Sequence, residues 1–254
     1  MCPNGKPTET MLTGEKITKT YPGVVALDRV TVRVMPGCVT AVIGPSGSGK
    51  TSLIRALALL DPPDSGCVAI DDQRYDYPSL ARSSTPPWPR VTVVFQQLFL
   101  WPHLTLKENI MLPLRLNGLS SEGLAEMVDL FGMRDFIDRY PNEVSFGQRQ
   151  RAALARAAML NPAYILLDEI TSALDIEQTG VITRYLVSLR DRGIGILLVT
   201  HLIGFARRLL RRGEGDELVF LEHGKVVVSG GLDLLTGPGH PRLREFLSAA
   251  DDVS

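Results

Sequence analysis

The chain has 254 residues, of which 44% are hydrophobic and 22% are charged, and its formal net charge is -1. This length allows one large α/β domain or two small ones, and the composition excludes extended disorder. The near-neutral charge also argues against a general nucleic-acid binder, which needs a basic face to neutralise phosphates. We therefore expect a globular protein that holds any bound anion locally.

Neither the cysteines nor the apolar runs indicate secretion or membrane insertion. Cys2, Cys38 and Cys67 form no CxxC pair and predict reduced thiols, without a zinc site or a disulfide framework. The polar segment 1–10 lacks the order of a secretory signal, in which an apolar stretch follows a basic one. The longest apolar runs, such as 194–199, fall far short of the roughly 20 residues that span a bilayer. A role at a membrane would therefore require a docking partner.

In chain order, the predicted elements begin with β-structure. Segment 30–34 alternates apolar and polar residues ahead of Pro36-Gly37, which predicts antiparallel strands and a turn. Residues 39–43 predict a strand that runs into a glycine-rich loop, and 51–60 has helical spacing until Pro62-Pro63 ends it. The proline-rich segment 74–90 predicts a loop outside the sheet.

A helical segment and two buried strands complete the pattern. Segment 104–160 predicts helices with a break at Gly118 and Gly123, while 164–167 and 194–199 are apolar throughout, as in strands buried on both faces of a parallel sheet. We predict an α/β fold with a mostly parallel sheet, an antiparallel β subdomain and an inserted helical subdomain. The chain is then a single domain, in which 98–159 form the helical subdomain and 1–97 with 160–254 form the remainder.

The most specific motif lies between the strand at 39–43 and the helix that follows it. Eight residues fit the phosphate-binding pattern G-x-x-x-x-G-K-[ST], namely Gly44, Pro45, Ser46, Gly47, Ser48, Gly49, Lys50 and Thr51. Glycines let the backbone N–H groups turn inward around phosphates, and the helix amino terminus adds a favourable dipole. Lys50 is expected to reach the β- and γ-phosphates, and Thr51 to ligate Mg²⁺. The motif predicts a P-loop NTPase core.

Polar residues follow both later strands. Asp168 and Glu169 come at the carboxyl end of one strand, where ligands sit in open α/β sheets. Asp168 fits the aspartate that holds Mg²⁺, and Glu169 fits a general base for a water in line with the γ-phosphate. His201 follows the other strand at the same edge and is expected to contact the γ-phosphate or that water. The structural alternatives are two solvated acids and a histidine that merely ends a strand.

Further motifs resemble those of ATP-binding-cassette (ABC) ATPases and together span nearly the whole chain. Segment 144–151, Val-Ser-Phe-Gly-Gln-Arg-Gln-Arg, is similar to the family's signature segment, and 171–175 resembles the loop that crosses the family's dimer interface. Segment 94–97 resembles the one whose glutamine, Gln96 here, senses the metal and the transport partner. Tyr21 matches the aromatic residue that stacks on adenine.

This resemblance assigns roles residue by residue. It implies catalytic roles for Glu169, His201, Lys50 and Gln96, and metal contacts by Thr51, Gln96 and Asp168. It also implies nucleotide contacts by Tyr21, by the loop 44–51 and, from the other copy of a head-to-tail dimer, by Ser145, Gly147 and Gln148.

The resemblance implies the ATP-hydrolysing subunit of a membrane transporter, with ATP and Mg²⁺ as cofactors. A homodimer, or a heterodimer with a second ABC ATPase, is expected on permease subunits at the cytoplasmic face of the membrane, served by an extracytoplasmic solute-binding protein. Segments 99–105, 200–207 and 244–248 resemble the branch that imports polar amino acids. Because Leu112-Pro113-Leu114 is also common in export and lipoprotein-release relatives, those functions remain alternatives.

Two further expectations concern departures from the family and the membrane partner. Phe146 replaces a glycine of the signature, so a nucleotide-gated module with little turnover also remains open, and we expect a less favourable closed dimer. The apolar segment 98–101 suits a groove that receives a helix of the permease.

A soluble relative acting on DNA or ribosomes would need fused cassettes or coiled-coil insertions, and the sequence has one P-loop and no heptads.

Overall fold

A computed structural model describes residues 10–78, 87–171, 176–213, 215–237 and 239–251. Within these ranges the strands are β1 (Leu12–Tyr21), β2 (Val24–Val34), β3 (Val39–Ile43), β4 (Ser65–Ile70), β5 (Gln73–Tyr77), β6 (Val91–Val94), β7 (Tyr164–Asp168), β8 (Gly195–Val199), β9 (Glu217–Glu222) and β10 (Lys225–Gly230). The α-helices are α1 (Lys50–Leu57), α2 (Leu106–Leu116), α3 (Leu124–Leu130), α4 (Phe146–Ala158), α5 (Ile176–Asp191), α6 (Ile203–Leu209), α7 (Asp233–Thr236) and α8 (Pro241–Asp251). None of the described helices is long and apolar enough to cross a bilayer.

The larger sheet is mostly parallel, as predicted. Its strand order is β10-β9-β3-β8-β7-β6, with antiparallel pairing only between β9 and β10. Every residue of β3, β7 and β8 is buried, because helices cover one face and the smaller sheet with α1 covers the other. Leu166 packs in one core cluster and Leu167 in the opposite one. The α/β fold class is therefore confirmed.

The smaller sheet is antiparallel, in the order β2-β1-β4-β5. It confirms the predicted β subdomain but corrects one interpretation, because part of the proline-rich segment forms a strand. Gln73–Tyr77 pairs with β4 from Gly66↔Tyr77 to Ile70↔Gln73, as an edge strand with polar residues at most positions. Residues 79–86 of that segment lie outside the described residues.

The helical segment enters between two neighbouring strands of the larger sheet. β6 and β7 pair in parallel, and α2, α3 and α4 occupy the chain between them. The predicted break is confirmed, since α2 ends before Gly118 and Gly123 caps the amino end of α3. Leu106, Ile110 and Phe131 are fully buried and tie these helices to the core. The boundaries 98–159 stay a prediction.

A candidate nucleotide-binding site at the edge of the parallel sheet

Strand register brings the predicted site residues to one edge of the larger sheet. Val42 pairs with Val199, and Asp168 also pairs with Val199, so the carboxyl ends of β3, β7 and β8 are level. The loop 44–51, the acidic pair after β7 and His201 after β8 therefore share this edge. Open α/β sheets bind ligands at such an edge.

Two positions of the phosphate-binding loop require glycine, because neighbouring backbone atoms leave no room for a Cβ. A Cβ on Gly44 would lie 2.0 Å from the carbonyl oxygen of Leu221, and one on Gly49 would lie 2.3 Å from that of Ala26. Gly49 also has φ +102° as the cap of α1, a conformation that side chains disfavour. The glycines thus seat the loop tightly on β2 and β9, at the amino terminus of α1.

Lys50 is buried and crosses the inside of this loop. Its Nζ donates to the carbonyl oxygens of Gly44 and Pro45, at 2.9 Å each. Burial lowers the pKa of Lys50, while the charges of Glu169 and Asp168 oppose that shift. Lys50 can exchange these neutral carbonyl acceptors for phosphate oxygens. Phosphate oxygens are charged and therefore accept stronger hydrogen bonds.

Thr51 and Asp168 form a pair of oxygen ligands beside the loop. The Thr51 hydroxyl donates to Asp168 Oδ1 at 3.2 Å, and Asp168 is 5% exposed. Burial raises the pKa of Asp168, and the hydrogen bond from Thr51 offsets only part of that rise. Mg²⁺ prefers one or two hard oxygen ligands from protein, with phosphates and waters for the rest. The pair fits Mg²⁺, because a cation there would stabilise the ionised form of the buried Asp168.

Glu169 and His201 meet beyond the ends of their strands. His201 Nδ1 lies 3.6 Å from Glu169 Oε2, and both side chains are partly exposed to solvent. The Glu169 backbone is in the left-handed region, at φ +47°, where its N–H donates to the carbonyl of Val199. Strained backbone of this kind clusters at functional sites, and here it turns the carboxylate out of the strand towards water.

Two further residues predicted at the site are the glutamine Gln96, which follows β6, and the tyrosine Tyr21, which ends β1. Gln96 is exposed two residues beyond β6, and because Val94 pairs with Leu167, it belongs to the same sheet edge. Tyr21 ends β1 and donates its hydroxyl proton to Asp61, a residue that the sequence analysis did not single out. Asp61 follows α1, so this contact ties the aromatic side chain to the phosphate-binding helix.

The signature residues cap the amino end of α4. Ser145 Oγ accepts from the N–H of Gln148, whose side chain in turn accepts from the N–H of Ser145. Phe146 is the first residue of α4 and lies outside the left-handed region. Phe146 and Gly147 lie in the first turn of α4, where backbone N–H groups have no intrahelical acceptor. A helix amino terminus of this kind favours an anion.

An apolar groove of about 390 Å³ opens beside segment 98–101. Trp101 lines it and is 52% exposed, while neighbouring Phe99 is 63% exposed. Arg156 of α4 donates to the carbonyl oxygens of Leu98 and Phe99, at 2.7 and 2.8 Å. The groove is therefore attached directly to the helix that carries the signature.

Residues 172–175 of the segment predicted to cross a dimer interface lie outside the described residues.

A strand, a glycine loop holding a buried lysine, a helix and an acidic pair at the end of another parallel strand of the same sheet define a P-loop nucleoside triphosphatase. Residues 27–172 match the family model described as ABC transporter. The chain belongs to this family, whose cassettes are ATPases coupled to transport, and the family prediction is confirmed.

Curated relatives match the chain over most of its length. The glutamine transport ATP-binding protein GlnQ of Escherichia coli (strain K12) is 35% identical, and the match covers 93% of this chain and 98% of the length of GlnQ. The arginine transport ATP-binding protein ArtM of Bacillus subtilis (strain 168) is 35% identical, with the same two coverages. The methionine import ATP-binding protein MetN of Bradyrhizobium diazoefficiens is 38% identical, covering 94% of this chain and 70% of its own.

Solved structures agree with the cassette fold. The dimeric, post-hydrolysis structure of the ATP-binding cassette MJ0796 bound to ADP and Pi has a TM-score of 0.76 at 32% identity, covering 87% of this chain and 99% of its own. A nucleotide-free cassette from an ABC transporter has a TM-score of 0.78 at 22% identity, which supports the fold.

Proposed function

We propose that this chain is the ATP-hydrolysing subunit of an ABC importer of amino acids. The observation that carries the proposal is the assembly of Lys50, Thr51, Asp168, Glu169 and His201 at one sheet edge. The import direction and the amino-acid class are supported by the relatives, which are named for glutamine transport, arginine transport and methionine import.

Each residue has a distinct task in hydrolysis. The backbone N–H groups of the loop and Lys50 bind the phosphates, and Tyr21 stacks on adenine. Thr51, Asp168 and Gln96 would hold Mg²⁺, which would supply neutralisation of the charge on the phosphates. Glu169 accepts the proton of the water that attacks the γ-phosphorus, and His201 orients that water or the γ-phosphate. The products are ADP, phosphate and a protonated Glu169, which returns its proton to solvent.

The second half of each nucleotide site comes from another cassette. The N–H groups at the start of α4, with Ser145, Gly147 and Gln148, suit the γ-phosphate of a partner's ATP. The partner is a second copy or a second ABC ATPase. Bound ATP then favours the closed dimer because it contacts both cassettes, and hydrolysis removes that contact.

The apolar groove beside segment 98–101 is the docking site for a helix of the permease. Trp101 lines this groove and neighbouring Phe99 is also exposed, so the two supply aromatic contacts of the kind that dominate interfaces. Docking there places the chain peripherally on the cytoplasmic face of the membrane. An extracytoplasmic solute-binding protein delivers the amino acid to the permease.

The proposal is tested with the purified chain and with its complex. The chain should release phosphate from ATP only when Mg²⁺ is present, and Lys50→Ala should bind ATP much more weakly. The permease complex, isolated from membranes, should yield an amino acid by mass spectrometry. ATP binding without phosphate release would favour the nucleotide-gated module, and a lipid or lipoprotein cargo would favour the export alternatives.

A further inference from the structure

A polar cluster surrounds the hydroxyl group of Tyr21. This hydroxyl donates to Asp61 Oδ2 at 2.6 Å. Asp61 lies in the turn after α1, the helix that begins in the phosphate-binding loop. The hydrogen bond therefore links the tyrosine to that helix.

Lys19 completes the cluster and occupies one side of the tyrosine ring. Its Nζ lies 2.5 Å from Asp61 Oδ1, donates to the carbonyl of Pro62 and stands 5.6 Å from the centre of the Tyr21 ring. Lys19 is buried, so its ammonium group is held in this place. The ring thus has a fixed cation near one face, and the Tyr21 side chain is partly exposed to solvent.

Asp61 is ionised at neutral pH in this setting. Burial raises the pKa of Asp61, but the hydrogen bonds from Lys19 and Tyr21 lower it by more. The same carboxylate thus binds the hydroxyl through one oxygen and the ammonium through the other. Hydrogen bonds to an ionised acceptor are stronger than those between neutral groups.

We propose that Asp61 is a positioning residue, which orients the Tyr21 ring through one oxygen and holds Lys19 against one ring face through the other, so that adenine stacks on the opposite face. This inference rests on the proposed function, because it takes the stacking role of Tyr21 from it. Asp61 itself does not contact the nucleotide. Preorganisation of the ring lowers the entropic cost of binding adenine.

The test compares a ligand that carries the base with one that lacks it. Affinities for ADP and for inorganic pyrophosphate are measured by calorimetry on the wild-type chain, Asp61→Ala, Tyr21→Phe and the double variant. Neither ligand is hydrolysed by the cassette. Each single variant should bind ADP about fivefold more weakly, which corresponds to about 1 kcal/mol, with little change for pyrophosphate. The double variant should match Asp61→Ala, because Tyr21→Phe removes only a contact that Asp61→Ala has already lost.

Two further variants separate this role from a general effect on the fold or the charge. Asp61→Asn keeps an oxygen that accepts the Tyr21 hydroxyl and should recover part of the ADP affinity. Asp64→Asn removes a negative charge 3.8 Å from Lys19 but keeps an oxygen that can accept from the N–H of Thr20, so it should bind ADP as the wild type does. Thermal unfolding of every variant reports any loss of stability separately.

Three outcomes would overturn the inference. One is a folded Asp61→Ala that keeps wild-type ADP affinity, and another is an equal loss for ADP and pyrophosphate. The third is additive losses in the double variant. If the wild-type chain itself binds neither ligand, or if Lys50→Ala binds both as well as the wild type does, the proposed function fails as well.

Discussion

Phe146 is the first residue of α4 and lies within the signature segment 144–151. A glycine is usual at this signature position, and a need for left-handed backbone would explain that preference. Phe146 instead begins α4 with an ordinary helical backbone, and its half-buried ring lies 5.7 Å from the guanidinium carbon of Arg149. The departure from glycine at this position therefore lies in the ring and not in the backbone, so removing the ring should restore closure without any change of backbone.

The effects on stability follow from helix propensity and from the contact with Arg149. A cation–π contact at a partly exposed site contributes about 0.5–1 kcal/mol, and alanine exceeds phenylalanine in helix propensity by about 0.5 kcal/mol. These terms nearly cancel for Phe146→Ala. Glycine is about 0.5 kcal/mol worse than phenylalanine, so Phe146→Gly should lose about 1–1.5 kcal/mol. At about 2–4 °C per kcal/mol for a chain of this size, Tm falls about 2–6 °C for glycine and little for alanine.

Closure is measured as ATP-dependent dimerisation by size-exclusion chromatography with light scattering, in a Glu169→Gln background. If the ring costs about 1.4 kcal/mol in the closed state, both Phe146→Ala and Phe146→Gly should raise the dimer population about tenfold while it is minor. A gain with glycine alone would show that backbone freedom is needed and would refute this reasoning. Weaker dimerisation by both variants would mean that the ring packs within the interface.

Three other perturbations test the groove, the loop and the core. Trp101→Ala should lower recovery of the permease in co-purification at least tenfold and leave the Tm of the isolated chain nearly unchanged, since the side chain is half exposed. Gly49→Ala should abolish detectable ADP binding in calorimetry and lower Tm, because its Cβ would meet a carbonyl of β2 at φ +102°. A Cys2→Ser variant should react with a disulfide reagent only after denaturation, because Cys38 and Cys67 are buried and burial raises the pKa of Cys67 to about 12.

The sequence was sufficient for the parts of the molecule whose patterns are local. The phosphate-binding loop is contiguous, and the strands β7 and β8 are apolar throughout because both faces are buried. Their carboxyl ends then place Asp168, Glu169 and His201 together by the geometry of a parallel sheet. No long-range contact had to be known for that inference.

Elements stabilised by distant partners were not predictable in this way. β5 carries polar residues and borders prolines, so its local pattern indicates a loop, yet pairing with β4 makes it a strand. The Tyr21–Asp61 hydrogen bond joins residues 40 positions apart, and Arg156 binds carbonyls 57 and 58 positions away. Backbone carbonyls carry no sequence signal, and a single aspartate near a helix end is ordinarily a solvated side chain.

The central claim is that Glu169 is the general base of an ATPase, and steady-state phosphate release by Glu169→Gln tests it most directly. The amide keeps the size of the side chain but cannot accept the proton of water, and a general base typically contributes about 10²–10⁴-fold. Glu169→Gln should therefore still bind ATP, with a rate at least about a hundredfold below that of the wild type. A variant that binds ATP and releases phosphate at more than about a tenth of the wild-type rate would contradict the account.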